Sequence, residues 1–161
     1  MRKRPWAAWL ALTAVLALAG CGVTPTSAHT ATSRSVEITF YGWPDNSPPG
    51  AGISYDDSPA GGAGSYADPI TLASDPRELP VGTRVYVPCL HKYFIMEDDC
   101  AECITAWTKH RSFFDLWIGG QGVKASTVLA KENKLTPARP VSVIVNPPAN
   151  EPVDTKALLQ Y

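Results

Sequence analysis

The chain has almost no excess of charge: 14 Lys and Arg stand against 15 Asp and Glu in 161 residues, a net charge of −1. Phosphate backbones are held by clustered cations, so this balance excludes nucleic acid as an expected partner. No apolar run approaches the roughly 20 residues of a membrane-spanning helix. Histidine is scarce, three residues in all, and neither His91 nor His110 stands at a standard zinc spacing from the cysteines. No metal or other cofactor is expected, no internal repeat is evident, and a monomer is expected. What is present is 45% hydrophobic and 18% charged residues, the composition of one globular domain with disordered ends.

The N-terminus carries Arg2, Lys3 and Arg4, an uncharged apolar stretch from Trp6 to Leu18, and then Leu18-Ala19-Gly20-Cys21. A positive start followed by a short apolar run is an export signal. The tetrapeptide resembles a bacterial lipobox, which implies a signal peptide over residues 1–20 and Cys21 lipidated on sulfur as the mature N-terminus. A plain secretory signal cut after Ala28 is the alternative, and would leave the protein secreted rather than membrane-anchored. Without Arg2, Lys3 and Arg4 the basic count falls from 14 to 11 against 15 acidic residues, leaving −4. Residues 21–35 are rich in Thr, Ser and Ala without apolar period, which suits a flexible tether.

The folded domain is expected over residues 36–147. Val36-Glu37-Ile38-Thr39-Phe40-Tyr41 alternates apolar and polar residues, as a half-buried strand does. Residues 42–69 carry Pro44, Pro48, Pro49, Pro59 and Gly61-Gly62-Ala63-Gly64, too many breakers for a regular element, so a long and functional surface loop is predicted. Arg84–Val87 and Tyr93–Met96 read as a hairpin. Phe113–Ile118 is a further apolar run, Val123–Leu135 the one helix that the pattern supports, and Pro140–Val145 a closing strand. Many short strands with little helix imply a mostly β domain built as a small barrel. Residues 148–161 form a tail whose state the pattern does not set.

Several of these segments resemble a known family in order. Thr39-Phe40-Tyr41-Gly42 is similar to the opening strand of expansins, and Leu79-Pro80-Val81-Gly82-Thr83 to the Leu-Pro-x-Gly-Thr segment of RlpA-like proteins. Ile95-Met96-Glu97-Asp98-Asp99 and Phe114-Asp115-Leu116 are similar to elements found in both. The resemblance implies a six-stranded double-psi β-barrel with one or two short helices, in which Thr39, Asp98 and Asp115 line a polysaccharide groove. It matches Asp115 to a residue essential for wall loosening in expansins and to the general acid of related barrel cellulases. Two departures are plain: Trp43 stands where the cellulases place their base Asp, with Asp45 the nearest carboxylate, and Ser74–Glu78 lacks the His of the RlpA-type transglycosylases.

The residues support part of this on their own. Cleaving a glycosidic bond takes one carboxylic acid to protonate the leaving oxygen and usually a second carboxylate. Asp115 lies among Phe113, Phe114, Leu116 and Trp117, where lost hydration raises a carboxyl pKa; Asp98 is the candidate partner. Holding the barrel closed through loop amides is the structural alternative for Asp115. Glu97-Asp98-Asp99 does not read as a metal site, because adjacent residues on an extended chain face opposite sides; Asp98 is expected in the groove, with Glu97 and Asp99 solvated or paired with a nearby Lys or Arg. Outside the cytoplasm thiols oxidise. Cys100 and Cys103 can close a small loop, or Cys89 can bridge to either. Tyr41, Trp43 and Trp107 are candidates for stacking on sugar faces, Trp43 and Trp107 because breaker-rich or polar sequence surrounds them.

The expectation is therefore an exported, membrane-anchored lipoprotein whose barrel groove binds a cell-wall glycan such as peptidoglycan or a cellulose-like chain. Whether it also loosens or cleaves that glycan, as a lytic transglycosylase or glycoside hydrolase would, is left open by the residues. The alternative is a non-catalytic envelope-binding module for a polysaccharide or protein partner. Mass spectrometry of the membrane fraction tests the anchor: a diacylglyceryl mass on a fragment beginning at Cys21 is expected, and a mature start at His29 overturns it.

Overall fold

The computed structural model describes residues 30–55 and 57–160; the expected export signal and lipidated Cys21 lie outside the described residues. The strands are β1 (Thr32–Tyr41), β2 (Ile70–Ala73), β3 (Arg84–Val87), β4 (Lys92–Asp98), β5 (Phe113–Trp117) and β6 (Val141–Val145), with helices α1 (Ala101–Trp107) and α2 (Ala125–Leu135). They close into one barrel in the order β1-β5-β2-β4-β3-β6. Two neighbouring pairs, β1 with β5 and β2 with β4, run parallel, and the others run antiparallel. The fold class, mostly β with a closed six-stranded barrel and two short helices, is the one expected.

Alternation builds the core. Val36, Ile38 and Phe40 of β1 are buried with Leu72, Val85, Phe94, Met96, Phe114, Leu116, Val143 and Val145. The intervening residues of β1, Glu37, Thr39 and Tyr41, project to the other face, as successive side chains on a strand must. Closure leaves no free edge, so backbone groups pair around the whole ring.

Three regions depart from the expectation. β1 starts at Thr32, within the stretch assigned to the tether, because Thr32–Val36 pairs antiparallel with Val141–Val145 and Ser33 and Ser142 share a 3.0 Å hydroxyl hydrogen bond. Backbone pairing extends the strand where no apolar period marks it. A second helix, α1, follows β4; its first turn is capped by Cys100, whose sulfur accepts from the Cys103 N–H at 3.0 Å. Cysteine is outside the usual cap residues, so the start signal is atypical. The helix expected from Val123 begins at Ala125, with Val128 and Glu132 buried and Leu129 40% exposed.

The described part of the 42–69 loop holds no helix or strand, yet backbone bonds pin it to the barrel: Trp43 N–H to Gly119 O, Tyr55 N–H to Glu97 O and Tyr93 N–H to Gly64 O. The C-terminal segment is docked in the same manner. Tyr86 donates to Pro152 O at 2.7 Å, Tyr93 donates to Pro148 O at 2.6 Å and accepts from the Glu151 N–H at 2.9 Å, and Leu159 is buried in the core. Removing the Tyr93 hydroxyl unpairs two backbone groups of that segment. Tyr93→Phe is expected to cost about 1–3 kcal/mol, read as a lowered urea midpoint with unchanged slope.

Candidate functional site

An open groove of about 860 Å³ lies on the outer face of the barrel. Its floor comes from Thr39 and Tyr41 of β1, Ala73 of β2, Asp98 of β4 and Asp115 of β5; one wall is Asn46–Pro48 with Gly52–Ser54, and the other is Cys100–Glu102 with Ile104. Asp45, Asp98, Asp99, Glu102 and Asp115 all line it, and no Lys, Arg or His does.

Strand register explains the floor. Thr39 is the partner of Asp115 across β1 and β5, Asp115 of Ala73 across β5 and β2, and Ala73 of Asp98 across β2 and β4. The four residues thus form one row over four adjacent strands. At the usual strand spacing, Asp98 and Asp115 are about 10 Å apart at the backbone, with only the Ala73 methyl between them. The row depends on a slip: Leu72 pairs with Met96, but Ala73 pairs with Asp98. Regular register would place Glu97 beside Ala73. A bulge re-aims one side chain, and here it decides which of three consecutive carboxylates enters the row.

The two floor carboxyls differ in their engagement. Asp98 is buried and accepts three hydrogen bonds: from the Tyr41 hydroxyl at 2.9 Å on one oxygen, and from the Ser54 and Asp99 N–H groups at 2.9 and 3.0 Å on the other. Burial first, and the Asp98 charge next, drive the Tyr41 hydroxyl pKa far upward, so Tyr41 remains a donor. Asp115 accepts from the Thr39 hydroxyl at 2.8 Å. Burial pushes its pKa up to about 7, outweighing that hydrogen bond, and the Asp45 charge adds to the rise. Asp115 is therefore a carboxylic acid poised to give up its proton near neutrality.

Glu97 accepts from the Thr71 hydroxyl at 2.6 Å, and Asp99 accepts from the Ser54 hydroxyl at 2.5 Å. Among the described residues, no group of three or more His, Cys, Asp or Glu is placed to hold a metal ion.

Thr39, Tyr41, Asp45, Asp98 and Asp115 are brought together at the groove. Trp43 and Trp107 are not part of its lining. Trp43 packs half-buried against the core, because its N–H is tied to Gly119 O and draws the residue inward; Trp107 ends α1, half-buried. The aromatic residues among its lining are Phe40, Tyr41 and Phe113, with the Phe40 side chain turned into the core. Cys100 and Cys103 form a disulfide with Cα atoms 5.2 Å apart, and Cys89 is free and exposed. The bridge ties the groove wall to the first turn of α1.

One neighbouring residue was not a sequence candidate. Glu132 of α2 is 5% exposed, and burial, followed by the Asp45 charge, pushes its pKa up to about 7. Its spacing from Val128 and Leu135 places it on the helix's inward stripe, where a Glu is out of character and so detectable.

The molecule is thus a small β-barrel domain with an acidic external groove. It belongs to the DDB_G0273701 N-terminal domain family, whose model matches residues 33–161. A relative, the uncharacterized protein DDB_G0273701/DDB_G0273221 of Dictyostelium discoideum, is 41% identical over 124 residues, covering 75% of this chain and 54% of the relative. The chain accordingly spans about half the length of the curated relative that it matches. No solved structure matches the chain.

Raised carboxyl pKa values make stability depend on pH. In the unfolded chain Asp115 and Glu132 release their protons near the ordinary values of 3.8 and 4.5; in the folded chain they hold them to about 7. Glu78 is shifted upward as well, by burial. Between these limits the folded state binds more protons than the unfolded one, so stability falls as pH rises through the window. Calorimetry is expected to show Tm roughly 5 °C lower at pH 7.5 than at pH 4.5, with a shallower decline in Asp115→Asn.

Proposed function

We propose that this chain is an exported, lipid-anchored domain whose groove binds an uncharged stretch of a cell-wall polysaccharide, with Asp115 as proton donor to a glycosidic oxygen. The observation that carries the reading is the Thr39–Asp115–Ala73–Asp98 row on the floor of an open, acid-lined groove. Such a trough suits an extended polyhydroxylated chain, whose hydroxyls donate to carboxylates. Five carboxyl residues and no lining cation disfavour an anionic ligand. The ordered resemblance to RlpA-like and expansin barrels supports the same class of ligand, and the lipobox-like Leu18–Cys21 supports an extracytoplasmic location. The family relative carries no stated activity, so the reading rests on this chain's own residues.

In this mechanism Tyr41 and Ser54 fix Asp98, which anchors sugar hydroxyls, and the part-buried Asp115 delivers its proton to the leaving oxygen as the glycosidic C–O bond breaks; water adds to the anomeric carbon and its proton passes to solvent. One observation favours a second reading, binding without cleavage: both Asp98 oxygens are already occupied, which leaves that carboxylate poorly placed to activate water or to attack.

Incubation with insoluble peptidoglycan and with a β-glucan tests both. Wild type is expected to sediment with at least one of them and to release soluble sugar, and Asp115→Asn to keep binding while losing release by about 100-fold or more. Binding with no release in wild type favours the second reading. Failure to bind either glycan, or undiminished release by Asp115→Asn, sinks the proposal.

A further inference from the structure

Glu132 poses a problem in the accounting of buried polar groups. Among the described residues, its Oε1 is the buried side-chain oxygen or nitrogen that has no hydrogen-bond partner, and leaving such a group unpaired is costly. Asp45 and Glu132 meet at Gly42. One Asp45 oxygen accepts from the Gly42 N–H at 2.9 Å, and a Cβ on Gly42 would lie 3.1 Å from Glu132 Oε1. That Cβ would also stand 2.6 Å from Gly119 O and 2.9 Å from Val128 Cγ1, so only glycine lets α2 approach β1 this closely. The absent side chain is what allows two carboxyl groups to flank one residue.

A buried carboxyl beside a second one is costly to ionise, and keeping its proton lets it act as a donor. Glu132 is the buried member, and Asp45 is exposed at the groove rim. We infer that Glu132 is a positioning residue: its protonated carboxyl donates to the Asp45 carboxylate beside Gly42 and so holds that charge next to Asp115. Asp45 from the loop and Asp115 from β5 are the charged groups that act on Glu132, burial being the larger cause of its shift. Asp45 in turn acts on Asp115. The chain of influence therefore runs from α2 through the loop to the acid on the groove floor. It extends the glycan reading, because a carboxylate kept beside Asp115 helps Asp115 retain its proton near neutral pH.

The test needs no substrate, so it stands or falls separately from the glycan proposal. Carboxyl ¹³C NMR titrations follow Asp45, Asp115 and Glu132 in wild type, Glu132→Gln, Glu132→Leu and Asp45→Asn. The Gln amide still donates to Asp45, so Glu132→Gln is expected to leave the Asp115 midpoint close to wild type. Glu132→Leu removes the donor, and the Asp115 midpoint is expected to fall by about 0.5 pH or more, matching Asp45→Asn. A purely structural Glu132 would lower Tm without moving that midpoint, and an unmoved Asp115 in folded Glu132→Leu overturns the inference. Should the Leu variant not fold, Asp45→Asn at the exposed rim decides: the Glu132 midpoint falls if the two share a proton, and an unchanged midpoint rejects the pairing.

Discussion

The site depends on how β1 divides its pairing. Its first five residues run antiparallel to β6, and its last five run parallel to β5. A single strand therefore both closes the barrel and delivers Thr39 and Tyr41 to the groove. Without that change of partner, Thr39 could not stand beside Asp115, and the Tyr41 hydroxyl could not reach across to Asp98. The slip between β2 and β4 completes the arrangement by bringing Asp98 into register with Ala73. Barrel closure and site assembly are the same set of backbone hydrogen bonds.

Carboxyl groups crowd this face, and the protein accommodates them unequally. Asp98 receives three donors, whereas Asp115 is left with burial as the dominant influence on its proton. Unequal surroundings for neighbouring carboxyls are what acid chemistry requires. Asp75, buried near the start of the Leu79–Thr83 turn, shows the opposite solution: hydrogen bonds and the charge of Arg77 hold its pKa low. The absence of any such cation from the groove lining is thus a property of the groove and not of the whole chain.

Much of the barrel was readable because its signals are local. The alternation in Val36–Tyr41, the breaker-rich 42–69 stretch and the turn before Arg84–Val87 each reflect sterics within a few residues. Thr32–Ser35 was not readable, since only a distant partner strand makes it extended. Nor was α1, a short helix whose cap is a cysteine. Asp115 could be singled out by its setting among apolar neighbours, and both Asp98 and Asp115 by the family resemblance. Their row through Ala73 could not, because it requires a register shift between strands far apart in sequence. Trp43 is partly exposed, as its breaker-rich surroundings suggested, but it packs against the core beside Gly119 and does not line the groove.

Glu132 shows where sequence periodicity held more than apolar residues alone convey. Counting hydrophobic positions in α2 favours Val128, Leu129 and Leu135, yet helical geometry places Val128, Glu132 and Leu135 on one stripe. A carboxyl on an inward stripe is destabilising when ionised, and the local cost could be relieved by a Gln or Leu of similar size. Its presence opposite a glycine that permits close approach is explained by the proton that it keeps for a neighbour. The cost in stability and the poise of the groove are then two consequences of one buried carboxyl, since the interaction that helps keep Asp115 protonated also draws Glu132 into a setting where its own ionisation is unfavourable.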